Sequence, residues 1–74
     1  MNENILYVKI LDRLVLDSKD PKYSEEILTL LEDEISQQYL ELLCRYAEMD
    51  YDSLVHKLKL NLIHTSLVNM NQKL

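Results

Sequence analysis

Glycine is missing altogether from this 74-residue chain, proline occurs once, and tryptophan and phenylalanine are both absent. Tight hairpins draw on glycine for their positive-φ positions, so a chain without any is poorly equipped to build a sheet. One cysteine, Cys44, rules out an internal disulfide. Together with the lack of a secretory apolar region, it points to a reducing cytoplasm. No uncharged apolar run approaches the ~20 residues a membrane helix needs. Cations are scarce too: 8 Lys and Arg stand against 13 Asp and Glu, a formal net charge of −5. That balance argues against a nucleic-acid partner, because affinity for the phosphate backbone comes mainly from Lys and Arg. There is no Gly-rich phosphate loop, no CxxC and no Ser/His/Asp constellation, so a stand-alone hydrolase or oxidoreductase is not expected.

What remains is a Leu-rich chain, 47% hydrophobic, and it reads as one all-α domain over residues 1–74. Met1 reads as a natural start. A chain this short hides only about 60% of the surface that its unfolded form exposes, so its single core is marginal. Three helices are expected. The first spans about residues 3–16, capped by Asn2 or Asn4, with Ile5, Leu6, Val8, Ile10, Leu11, Leu14 and Val15 at three- and four-residue spacing. Asp20 then reads as an N-cap and Pro21 as a first helical residue, where a missing N–H costs nothing.

The second helix is expected to run unbroken over about 21–48. Leu28, Leu31, Ile35, Leu42 and Tyr46 form its seam, widened by Ile27, Leu30, Leu40, Leu43 and Ala47. Cys44 within it reads as a small buried filler. Asp50 caps the third helix, about 51–69, with fraying expected from Asn71 onward. Short connections favour antiparallel neighbours packed as a bundle.

The third helix is the most informative segment. At about 100° per residue, Tyr51, Leu54, Val55, Leu58, Leu62, Thr65 and Asn69 fall between about 160° and 260° from His56, which makes them the core face. His56 therefore looks outward. Leu60, Ile63 and Leu67 lie within about 40° of it, Lys57 and Lys59 flank it, and His64 sits near 80°. The helix thus carries two apolar stripes, and the second needs a partner of its own. His56 and His64, eight positions apart, do not converge on a metal as i, i+4 ligands do. No metal or cofactor is expected.

An outward histidine on a helix is most often a plain surface residue. The chemistry open to this one is nucleophilic: a neutral imidazole can attack a phosphoryl group if it is exposed enough for in-line transfer. Neighbouring ammonium groups can balance charge on the phosphoryl oxygens. An aliphatic collar can dock the protein that gives or takes the group.

The run Asp50-Tyr51-Asp52-Ser53-Leu54-Val55-His56-Lys57-Leu58-Lys59-Leu60-Asn61-Leu62 resembles the signature of histidine-containing phosphotransfer (HPt) domains, four-helix-bundle modules of two-component phosphorelays. Ile27-Leu28-Thr29-Leu30-Leu31-Glu32-Asp33 is similar to the helix before that signature, and the likeness covers about residues 10–69. It implies His56 as phosphoacceptor, Leu58 as the buried leucine and Lys59, with Lys57, as the charge beside the phosphoryl group. Ser66 falls on a later glycine of the pattern, and Leu60-Asn61 matches a variant without glycine after the lysine. The implied partner is a receiver domain or a kinase. Three departures accompany the likeness. Leu60 stands where glycine is usual, the helix starts about one turn nearer to the histidine, and the family's closing helix has no counterpart after the third helix.

A homodimer is one way to cover the groove such a bundle leaves open. A second functional reading needs no nucleophile: a non-catalytic adaptor or regulator that binds a kinase, response regulator or secretion client through Leu60, Ile63, His64 and Leu67. Asp52-Ser53-Leu54 is also similar to the prosthetic-group site of acyl carrier proteins, but too little helical sequence follows Ser53 for that fold.

Overall fold

The computed structural model describes the backbone of residues 3–72 and the side chains of residues 4–68. Among the described residues it is all-α: α1 (Glu3–Asp17), a 3-10 turn (Pro21–Tyr23), α2 (Ser24–Glu32), α3 (Glu34–Ala47) and α4 (Tyr51–Gln72). None of these helices is long and apolar enough to cross a membrane. Of the two cap candidates for α1, Asn4 lies inside the helix, whereas Asn2 is outside the described residues.

The expected second helix is broken. Asp33 leaves helical geometry at φ −82° and ψ 124°, ends α2 and caps α3. Its carboxylate accepts hydrogen bonds from the Ser36 amide (2.9 Å) and the Ser36 hydroxyl (2.8 Å). A side-chain acceptor at that spacing satisfies amides that a continuous helix would have bonded internally. Gln37 folds back so that Nε2 donates to the Leu31 carbonyl, which the break leaves without its helical partner. Asp20 and Pro21 do act as cap and first residue, but of the short 3-10 turn, not of a long helix.

The break also corrects the expected seam. Ile27, Leu31, Leu40, Leu43, Cys44 and Ala47 are buried, whereas Leu28, Ile35, Leu42 and Tyr46 are exposed. One residue taken out of helical phase uncouples the faces of α2 and α3, so a single stripe cannot serve both.

α3 ends on Glu48, whose φ of 57° and ψ of 40° are left-handed. This reversal lets the Glu48 and Met49 amides bond the Arg45 and Cys44 carbonyls at 3.2 and 2.9 Å. Asp50 then caps α4 as Asp33 caps α3: the Ser53 amide and hydroxyl donate to its carboxylate at 2.9 and 2.7 Å. In both caps the serine hydroxyl, and then its amide, hold the carboxyl below its ordinary pKa.

α1 lies along α3, with Tyr7 stacked on Tyr46 at a centroid distance of 5.2 Å. Pairing of the start of α1 with the end of α3 makes these two helices antiparallel. α4 runs beside α1 in the same direction: Asp12 and Leu16 share a groove with Asp50, Ser53 and Leu54, and Ser18, just past the end of α1, bonds Asn61 and Thr65 farther along α4. Leu11, Leu54 and Leu58 meet the α2 and α3 side chains in one core. The Cα radius of gyration is 13.3 Å, against about 11 Å for a compact chain of this length. Such a shape leaves large apolar side chains uncovered.

Candidate functional site

Helix α4 starts where its sequence directs, at the Asp50 cap, and runs unbroken past Asn69 to Gln72. Asn71 thus lies within it, contrary to the expected fraying; the Asn69 side chain is outside the described ones. Leu54, Leu58 and Thr65 are buried, and Tyr51, Val55 and Leu62 are partly so. The expected core face is therefore the observed one.

A polar tie fixes the rotation of the helix about its axis. Ser18, fully buried just beyond α1, bonds the Val15 carbonyl through its hydroxyl. That hydroxyl also accepts from Asn61 Nδ2 at 2.9 Å, and the Thr65 hydroxyl donates to the Ser18 carbonyl at 3.3 Å. Buried polar groups tolerate few alternatives, since slipping α4 would leave several unpaired at once.

With that rotation set, His56 is exposed, and so are Lys57, Lys59, Leu60, Ile63, His64 and Leu67. Leu60, Ile63 and Leu67 are each more than half exposed. The helical arc brings His56 together with those three and with Lys59. Lys57 turns the other way and lines the α1–α4 groove, of about 400 Å³, with Asp12, Lys19 and Asp50. His64 stands two turns from His56 and off its axis, so the two imidazoles do not share one site.

The α4 surface also differs in charge from the rest of the chain. All 13 acidic residues lie at or before Asp52, and from Ser53 onward the only charged side chains are lysines. Lys57 and Lys59 flank the exposed histidine and Asp52 stands one turn before it, so α4 itself carries an excess of one cation there.

A further surface was not anticipated from the sequence. Ile35, Tyr39, Leu42 and Tyr46 form an exposed stripe along α3. Beside it, Ile10, Leu14, Leu30, Ile35, Tyr39 and Leu43 border an apolar groove of about 470 Å³ between α1 and α3. The signal that could have located it is Asp33-Glu34-Ile35-Ser36, which has the same cap spacing as Asp50-Tyr51-Asp52-Ser53. With helical phase restarted at Asp33, these four residues face solvent.

Comparison with family models, with curated proteins and with solved structures finds no match for the chain.

Proposed function

We propose that this chain is an HPt-like signalling module of a phosphorelay, in which His56 accepts a phosphoryl group from a receiver domain or kinase and passes it on. The observation that carries the reading is the exposure of His56 in mid-helix, directly opposite the buried Leu54 and Leu58 and on one arc with Leu60, Ile63 and Leu67. A ring nitrogen attacks phosphorus in line, the N–P bond forms, and the acyl-phosphate oxygen of the donor aspartate leaves with the bonding pair. Lys59 offsets charge on the equatorial oxygens. The aliphatic strip excludes water and aligns the donor, which raises effective concentration at the nucleophile. The cytoplasm is where such a relay operates.

One observation favours a second reading, docking without transfer. Leu60, one turn beyond His56, is exposed where a small residue would let a receiver approach closely. A regulator that occupies a receiver or kinase needs the strip but not the imidazole.

Incubation with phosphorylated receiver domains separates the two. Acid-labile label on the wild-type chain and none on His56→Gln supports phosphotransfer. Saturable binding with no label from any donor overturns transfer and favours the regulator.

A further inference from the structure

We infer that the exposed stripe on α3 is a self-association surface, and that a second copy of this chain packs against it through its own α3, antiparallel, about a two-fold axis between Tyr39 and Leu42. This surface shares no residue with the strip around His56, so the inference stands apart from the phosphorelay reading.

The stripe has the spacing of a coiled-coil seam. Ile35, Tyr39, Leu42 and Tyr46 follow one another by four, three and four residues, within an arc of about 60°, whereas Leu40, Leu43, Cys44 and Ala47 face the core. Ile35 is 76% exposed and Tyr39 62%, more than a lone monomer needs to leave in water. The register is self-complementary. About the stated axis each tyrosine meets an aliphatic residue, Tyr39 against the partner's Leu42 and Ile35 against the partner's Tyr46. The partner's Tyr46 then lies at the mouth of the α1–α3 groove, beside Ile10 and Tyr39.

Charge selects the direction. Glu34, Gln38, Glu41 and Arg45 lie on the flank of α3 away from the core. In the antiparallel pair, Arg45 comes within about 3 Å, along the axis, of the level of the partner's Glu34. Symmetry makes two such pairs. In a parallel pair the two-fold puts this flank on opposite sides of the seam and neither ion pair forms. The antiparallel pair does bring Glu41 level with the partner's Glu41, one like-charge contact against two ion pairs.

The area is sufficient. Exposed Leu6 and Ile10 of α1 extend the stripe, giving six large side chains per copy. At roughly 100 Å² each, below the roughly 150–250 Å² that an aromatic side chain buries, these supply about 600 Å². Their polar flanks bring the patch toward the ~800 Å² per partner of a standard interface. A second copy also supplies the apolar burial that so short a chain lacks.

Sedimentation of the purified chain over a concentration series tests this. A reversible dimer at micromolar concentration is expected, monomeric in Leu42→Lys and unchanged in Leu60→Lys/Leu67→Lys. Should Leu42→Lys lose its helical circular dichroism, charge variants at the exposed flank decide. Glu34→Arg and Arg45→Glu should each raise the dimer dissociation constant about fivefold to tenfold, and the double swap should restore it. A wild-type chain that stays monomeric at millimolar concentration overturns the inference. So does a dimer broken only by the α4 substitutions, or one indifferent to both charge variants.

Discussion

Asn61 donates its side-chain amide to the Ser18 hydroxyl at 2.9 Å, joining the end of α1 to the middle of α4 across 43 residues of sequence. Ser18 is fully buried, and its hydroxyl spends its own proton on the Val15 carbonyl. The bond therefore has one donor and one acceptor that cannot exchange roles. Its consequence is functional, because Asn61 lies five residues, or about 140° of turn, from His56. Holding Asn61 inward holds His56 outward.

Replacing Asn61 by Leu removes the donor and leaves the Ser18 acceptor unpaired in the interior. A loss of about 1–3 kcal/mol in unfolding free energy is expected, measured by urea denaturation. Ser18→Ala in the same background should recover part of that loss, since removing both partners is cheaper than orphaning one. Additive losses in the double variant would show that the two side chains do not interact.

Acid should loosen the starts of α3 and α4 before the core yields. Asp33 and Asp50 have carboxyls held below their ordinary value by Ser36 and Ser53. A depressed folded pKa stabilises above the unfolded value and is lost as pH falls through the folded one. Helicity should thus decline only below about pH 4, the ordinary aspartate range. Asp33→Asn and Asp50→Asn keep a cap acceptor without a charge, so their thermal midpoints should vary less with pH over that window. A wild-type midpoint flat between pH 5 and 2 would count against this account.

Glu48 occupies left-handed backbone with a β-carbon present, a conformation that disfavours every residue but glycine by roughly 1–2 kcal/mol. Glycine costs more entropy in the unfolded chain, so the expected net gain for Glu48→Gly is about 0.5–1 kcal/mol. An unchanged or lowered midpoint in urea would mean that the glutamate side chain contributes something its geometry does not reveal.

Helix α4 could be read from sequence because one periodicity governs it from end to end: Leu54, Leu58 and Thr65 are inside and His56, Leu60, Ile63 and Leu67 outside, as their angles require. α1 and the Asp50 cap were accessible for the same local reasons. The break at Asp33 was not, since Ile35 continues an apolar spacing that looks uninterrupted until the side chain of Asp33 is paired with Ser36. Ile35, Leu42 and Tyr46, expected in the interior, lie on the surface beyond the break, and Leu28, ahead of it, is exposed as well. Periodicity reports a face only while helical phase persists, and a side-chain cap can end that phase without glycine or proline.

Cys44 shows where a buried group is inert by construction. It is 1% exposed, and burial raises its thiol pKa, with the negative charges of Asp50 and Glu41 acting in the same direction. Both effects deplete the thiolate, which is the reactive form. Modification by a disulfide reagent near pH 8 should be at least about 100-fold slower in the folded chain than in urea. Equal rates would place this turn of α3 among the locally unfolded parts of the molecule.

The two lysines beside His56 should not contribute equally to phosphoryl transfer. Lys57 faces the α1–α4 groove, which it lines together with Asp12, Lys19 and Asp50, so two carboxylates border the space its ammonium group occupies. Lys59 lies on the other flank of His56, outside that groove, and the acidic residue of α4 on its side, Asp52, is two turns away along the helix. A cation already drawn toward carboxylates stabilises a developing phosphoryl charge less than one free to approach it. Lys59→Ala should therefore slow labelling from a phosphorylated receiver by about tenfold or more, and Lys57→Ala by about threefold or less. Single-turnover transfer at saturating receiver distinguishes this from weakened docking, because docking losses disappear at saturation and lost charge compensation does not. Equal slowing by both substitutions would mean that the Lys57 ammonium leaves its groove when the partner binds.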